Sequence, residues 1–195
     1  MIDFCAYSDS VGSDGVLPMA FASYSYAPDQ ASAGAKNQEP NLYFANVPDT
    51  AKYLSVVMDD ETEPCGVGKG ACVHAGVFDL PATLTSLTDA TPPEANPGVT
   101  FGGVIAYDDD GSDYLGYGYE GPFPPSGTTH TYKVTVYAHK SPWADYGVAA
   151  LDPKTGQLQP TQSFGRPPVT RAEVEADQVD DIVASYTLTF TFTAP

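Results

Sequence analysis

"GPFPPSGTTHTYKVTVYAH", residues 121–139, sets three prolines and two glycines directly before an alternating run. Proline fixes φ and glycine opens the positive-φ region, so the first half is a stiff turn. The second half has period two. His130, Tyr132, Val134, Val136 and Ala138 share an apolar face, and Lys133, Thr135, Tyr137 and His139 share a face expected to be wet. His130 thus sits at the mouth of a core-facing strand, delivered by a rigid turn. With Tyr132 at the same parity, it offers N–H and O–H donors in partly desolvated surroundings, where a charged acceptor is held more strongly.

The rest of the chain extends that pattern. "YTLTFTFT" (186–193) alternates Tyr186, Leu188, Phe190 and Phe192 with threonines. "YLSVVMDD" (53–60) and "CVHAGVFDLP" (72–81) are rich in β-branched residues and bounded by Pro or Gly, as strands are. Residues 41–48 and 98–107 read as weaker strands. Only "VTRAEVEADQVDDIVASY" (169–186) reads as a helix, with Thr170 and Glu173 in capping-box spacing and Val174, Gln178 or Val179, Ile182 and Val183 at helical intervals. Long loops rich in Gly, Pro, Asp and Ser fill the intervals. Short strands, long loops and one late helix predict a mainly β protein, a sandwich of antiparallel sheets forming a single domain over 1–195.

Composition narrows the partners. The chain carries 25 acidic and 8 basic residues, a formal charge of −17, which repels nucleic-acid phosphates and anionic membrane surfaces. No apolar run approaches the roughly 20 residues of a membrane span, and the N-terminus has no signal-like apolar stretch. A cytoplasmic protein is expected. Three cysteines, an odd number, fit a reducing compartment, with a Cys65–Cys72 bridge left open.

The order of motifs carries more. A strand ending in acids ("VVMDDETEP"), a histidine strand ending in proline ("VHAGVFDLP") and a Gly-Pro turn leading to His-x-Tyr follow one another, with "EPNLYFANVPDTAKYLSVVM" upstream. This resembles the phosphatidylethanolamine-binding protein family, in its bacterial and archaeal Raf-kinase-inhibitor-like branch, over about residues 37–140. The resemblance implies a β-sandwich with a small anion pocket at Asp59, His74, Pro124, Pro125, His130 and Tyr132. It implies phosphate-like or phospholipid head-group ligands, kinases or proteases as protein partners, and no catalytic turnover or cofactor. The sequence also departs from the family pattern. Against Asp-Pro-Asp-Ala-Pro, Asp59 is taken as the first aspartate, Asp60 and Glu61 replace the next two residues, and one extra residue precedes Pro64. Ala75 stands where an aromatic is common, and Thr131 replaces the arginine of His-Arg-Tyr.

Other readings stand beside this one. From the residues alone, His74 and His130 are partly buried structural groups, each satisfied by a backbone carbonyl. The two motifs in order turn them toward a pocket, with Asp59 accepting a proton from an imidazole and fixing its tautomer. Cys65, Cys72 and His74 suit zinc by ligand type but leave a fourth ligand unassigned. The glycine-rich "CGVGKGAC" lacks the P-loop order, and "YDDDGSDY" (107–114) lacks the bidentate Glu of a calcium loop. A small hydrolase or metal-dependent enzyme using His74 and His130 is the alternative function, although no nucleophile motif accompanies them.

Overall fold

The computed structural model describes residues 3–23, 34–36, 38–64, 71–88, 103–105, 116–119, 121–143, 150–151, 158–159 and 171–195. The two most clearly alternating runs become neighbouring strands. β8 (Thr129–His139) and β11 (Ile182–Thr193) pair antiparallel along their length. β3 (Tyr53–Pro64) lies on the other side of β8 and β4 (Ala71–Pro81) beyond it, giving the order β11-β8-β3-β4. A second sheet, β1-β2-β5, is built from β1 (Cys5–Tyr7), β2 (Leu42–Ala45) and β5 (Ser86–Leu87). Short antiparallel ladders join β6 (Gly103–Ile105) to β7 (Gly116–Gly118), and β9 (Ala150–Leu151) to β10 (Leu158–Gln159).

The main core lies between the two larger sheets. Phe4, Ala6, Leu42, Phe44 and Leu87 meet Leu54, Val56, Met58, Val77, Val134, Val136, Phe190 and Phe192 in one buried cluster. Removing each large side chain from water contributes about 1.5–3 kcal/mol. A second cluster covers the far face of the four-stranded sheet. There α1 (Arg171–Asp177) and Trp143 bring Val174 and the indole over Val57, Val73 and Tyr137.

That second layer corrects the expectation of a wet face on β8. Thr135, Tyr137 and His139 are buried, so the alternation marks two differently composed interiors. The helix is also shorter than the periodicity predicts, spanning Arg171–Asp177 with the strand resuming at Ile182. Ile182 and Val183 are β-branched, and extending the ladder against β8 competes with a short helix that is marginal by itself. Thr170, the Cys65–Cys72 bridge with its zinc alternative, the 65–70 loop and the acidic run at 107–114 lie outside the described residues or side chains.

Candidate functional site

The proline turn is held from two sides. On one, Gly121 sits so close to the backbone of Phe21–Ser23 that a Cβ there would collide with the Phe21 carbonyl, and Ser23 N–H donates to Pro122 O at 3.1 Å. On the other, Gly127 N–H donates to Ala194 O (3.3 Å) and Ala194 N–H to Thr128 O (3.0 Å). Within the turn, Thr128 Oγ1–H donates to Pro125 O at 2.6 Å, and Gly127 takes the positive φ of 74° that glycine tolerates. Pro124 is buried and Pro125 exposed. The stiff turn thus fixes the position from which β8 starts.

One residue into β8, His130 is buried and its Nδ1–H donates to Oδ2 of Asp60 at 2.6 Å. The other oxygen, Asp60 Oδ1, accepts Thr62 N–H at 2.8 Å, so both oxygens of this buried carboxylate are engaged. Register explains the pairing. Asp60 lies opposite Tyr132 on β8, on the face that Leu54, Val56 and Met58 present to the main core. Asp59 lies opposite Lys133 and points to the other face. The carboxylate on the imidazole is therefore Asp60, where Asp59 was expected. Taken from Asp60, "DETEP" spans the five positions of Asp-Pro-Asp-Ala-Pro without a gap, and the extra residue before Pro64 disappears.

His74 reaches the same group through an irregularity. Met58 pairs with Ala75 and Asp59 with Val73, so His74 is the additional residue of a β-bulge. Its ring meets Tyr132 edge-on at 5.2 Å, while Tyr132 stacks with His130 at 6.5 Å and with Phe190 at 5.8 Å. His74 is half-buried, whereas Tyr132 has no exposed surface. The structure thus brings His74, His130 and Tyr132 together with Asp60, and the turn holding Pro124 and Pro125 leads into them.

The reverse face of β3 carries a second charged group. Arg171, at the start of α1, donates from Nε to Asp59 Oδ2 at 3.1 Å and from Nη2 to Glu61 Oε1. Lys133 Nζ pairs with Glu61 Oε2 at 2.9 Å. Burial pushes the Asp59 carboxyl up to about 6 despite the guanidinium, and no hydrogen-bond donor among the described residues reaches its Oδ1. Burial also raises Glu61, but Lys133 and Arg171 outweigh it and hold that carboxyl below its usual range. Sequence reading did not single out Asp60 or Arg171 for this site. With both faces of β3 buried, nothing in the sequence separates Asp60 from Asp59, and nothing in it places Arg171, 111 positions beyond Asp60, beside them.

The arrangement can donate hydrogen bonds to a small anion through imidazole and phenol groups, with Asp60 orienting one ring. Among the described residues, no group of three or more His, Cys, Asp or Glu side chains is placed to hold a metal ion. A cavity of about 330 Å³ lies elsewhere, between the sheets, lined by residues including Tyr7, Leu42, Val134, Leu188 and Phe190.

These features define a class, an antiparallel β-sandwich with two histidines, one of them backed by a buried carboxylate, at the end of its larger sheet. A sequence profile of the phosphatidylethanolamine-binding protein family matches residues 7–193, and the chain belongs to that family. A UPF0098 protein of Methanothermobacter thermautotrophicus is 32% identical over 119 residues, covering 61% of this chain and 72% of that protein. YbcL of Escherichia coli, described as a member of the mammalian PEBP family, superposes with a TM-score of 0.62 at 20% identity over all of both chains. The PEBP homologue CT736 of Chlamydia trachomatis gives 0.61 at 18% identity over 98% of each. Both structures share the fold. No helix among the described residues is long and apolar enough to cross a membrane.

Proposed function

We propose that the chain is a non-catalytic binding protein whose pocket, formed by His74, His130 and Tyr132 and walled by Pro124 and Pro125, accepts a small phosphate-like group. The observation that carries this reading is the buried His130–Asp60 pair at 2.6 Å, on the same face as His74 and Tyr132. A buried imidazole with a carboxylate on Nδ1 is held in one orientation, so its Nε2 edge is preset for a ligand. Asp60 takes the orienting role expected of Asp59, which leaves Asp59 to α1. The ligand is a phosphate or phospholipid head group, and the output is the regulation or inhibition of a kinase or protease partner in the cytoplasm.

Calorimetry with inorganic phosphate and phosphoethanolamine tests the reading. His130→Ala and His74→Ala are expected to weaken binding at least ~10-fold, the loss of one charge-assisted hydrogen bond, while far-ultraviolet circular dichroism stays unchanged. Equal affinity in wild type and both variants overturns it.

A further inference from the structure

The third histidine lies at the opposite end of β3 and β8, away from the pocket. His139 and Ser55 have no exposed surface. His139 Nδ1 lies 2.8 Å from the Ser141 carbonyl, which only accepts, so Nδ1 carries the proton. Nε2 is then bare and accepts Ser55 Oγ–H at 2.9 Å, while Ser55 Oγ accepts Asp79 N–H at 3.1 Å. These are the residue types of a hydrolytic relay, but Ser55 is buried and its oxygen is engaged on both sides. The cluster works as a fastening.

Trp143 closes it. Its indole stacks on the imidazole at 4.0 Å, its backbone N–H donates to Asp79 Oδ1 at 2.9 Å, and its Nε1–H donates to Asp181 Oδ2 at 2.9 Å. Those oxygens are also the nearest anions to the ring, with Asp79 Oδ1 3.9 Å from Nε2 and Asp181 Oδ2 3.6 Å from Nδ1. A proton added at Nε2 makes the Ser55 hydroxyl give up its bond to the ring and turn its hydrogen away. The carboxylate oxygens nearest the new charge, Asp79 Oδ1 and Asp181 Oδ2, are those that hold Trp143, while Asp79 Oδ2 has no hydrogen-bond donor among the described residues. Asp79 is further constrained by its left-handed backbone, φ 59°.

We propose that His139 is a proton-operated clasp: neutral, it fastens residues 140–143 and the entry to β11 onto β3 and β4, and protonated, it lets Trp143 go. The other groups around it are consistent with this. Tyr53 stacks on the ring at 5.6 Å, Lys52 meets it only through a backbone N–H to His139 O, and Lys140 Nζ turns away to Asp180 O at 3.0 Å. Burial holds the imidazole below its ordinary range, against the pull of Asp79 and Asp181. Burial raises Asp79, while the donors from Trp143 and Ser141 outweigh burial at Asp181 and keep it low.

Trp143 is the chain's single tryptophan, so its emission and indole N–H come from one residue, packed on His139 and also on Tyr137 and Phe78, and His139→Gln separates the clasp from its other neighbours. The whole protein is titrated from about pH 8 to about pH 5, a range spanning the ordinary imidazole value of about 6.5. His139 is followed by ring ¹⁵N shifts and Trp143 by emission wavelength and indole N–H exchange. The expected result is an Nδ1–H tautomer at the upper end, then a single acid step with a red shift and at least ~10-fold faster indole exchange, the mark of local opening. His139→Gln should abolish the step. If that variant does not fold, Ser55→Ala, which removes the donor to Nε2, should move the step to higher pH. Trp143 signals that stay flat, a step that survives in His139→Gln, or an Nε2–H tautomer overturns the proposal.

Discussion

Asp59 and Asp60 are consecutive on β3 and serve opposite faces of the same sheet. Asp60 accepts the His130 imidazole at 2.6 Å on the main-core face, while Asp59 accepts Arg171 Nε at 3.1 Å on the face covered by α1. One strand segment therefore orients His130 and anchors the helix. A change at either acid is expected to affect one face before the other.

Asp60→Ala removes the acceptor of both His130 Nδ1–H and Thr62 N–H in a buried setting. A loss of about 3 kcal/mol is expected, the scale of leaving two buried donors without an acceptor, read by urea denaturation. Asp60→Asn should cost less, because its amide oxygen still accepts one of the two bonds.

Arg171→Ala takes the counter-charge from buried Asp59 and the link between α1 and Glu61. Because Arg171 is itself partly exposed, about 2 kcal/mol is expected, below the full cost of a buried pair. Amide exchange should quicken in residues 171–177 before it does in β8. Arg171→Lys should recover part of the loss.

The pH dependence of stability has two opposed components. Burial raises the folded Asp59 carboxyl from 3.8 to about 6, so its contribution is full below 3.8 and is lost as pH rises through about 6. Burial lowers His139, so its contribution is full above its ordinary 6.5 and is lost as pH falls below that value. Asp59→Asn removes the first component. The stability difference between wild type and Asp59→Asn should therefore favour wild type more near pH 4 than near pH 7, by about 2 kcal/mol. Denaturation curves showing an equal difference at both values contradict this.

Gly121→Ala drives a methyl group into the Phe21–Ser23 backbone that holds the proline turn. About 2 kcal/mol of destabilisation is expected, in the range of backbone and overpacking effects. Because the displaced turn leads into β8, phosphate affinity should fall as well. Full affinity in a destabilised variant would show that the turn and the histidine site are uncoupled.

The strands were legible where one face of the sheet differs from the other in composition. In β11, exposed Thr187, Thr189 and Thr193 alternate with Phe190 and Phe192, and the pattern reads directly. In β3 both faces are buried, so Val56 and Val57 look alike and parity gives no hint that Asp60, and not Asp59, faces His130. At His74 the bulge breaks the period itself, and a residue outside the count of two joins the Tyr132 face. The motif order around His74, His130 and Tyr132 was still readable, because it depends on sequence order and not on which way each side chain points. Arg171 and the His139 cluster were not, since Ser55, Asp79, His139, Trp143 and Asp181 come from separate segments whose meeting depends on the packed layers.

The central claim is tested most directly by following the ring signals of all three histidines by NMR during titration with inorganic phosphate and with phosphoethanolamine. His74 and His130 are predicted to shift together and saturate at one common concentration, while His139, buried at the far end of the sheet, stays still as an internal control. Rings of His74 and His130 that do not respond to either anion, or that move only in step with His139, would contradict an anion site built on the Asp60–His130 pair.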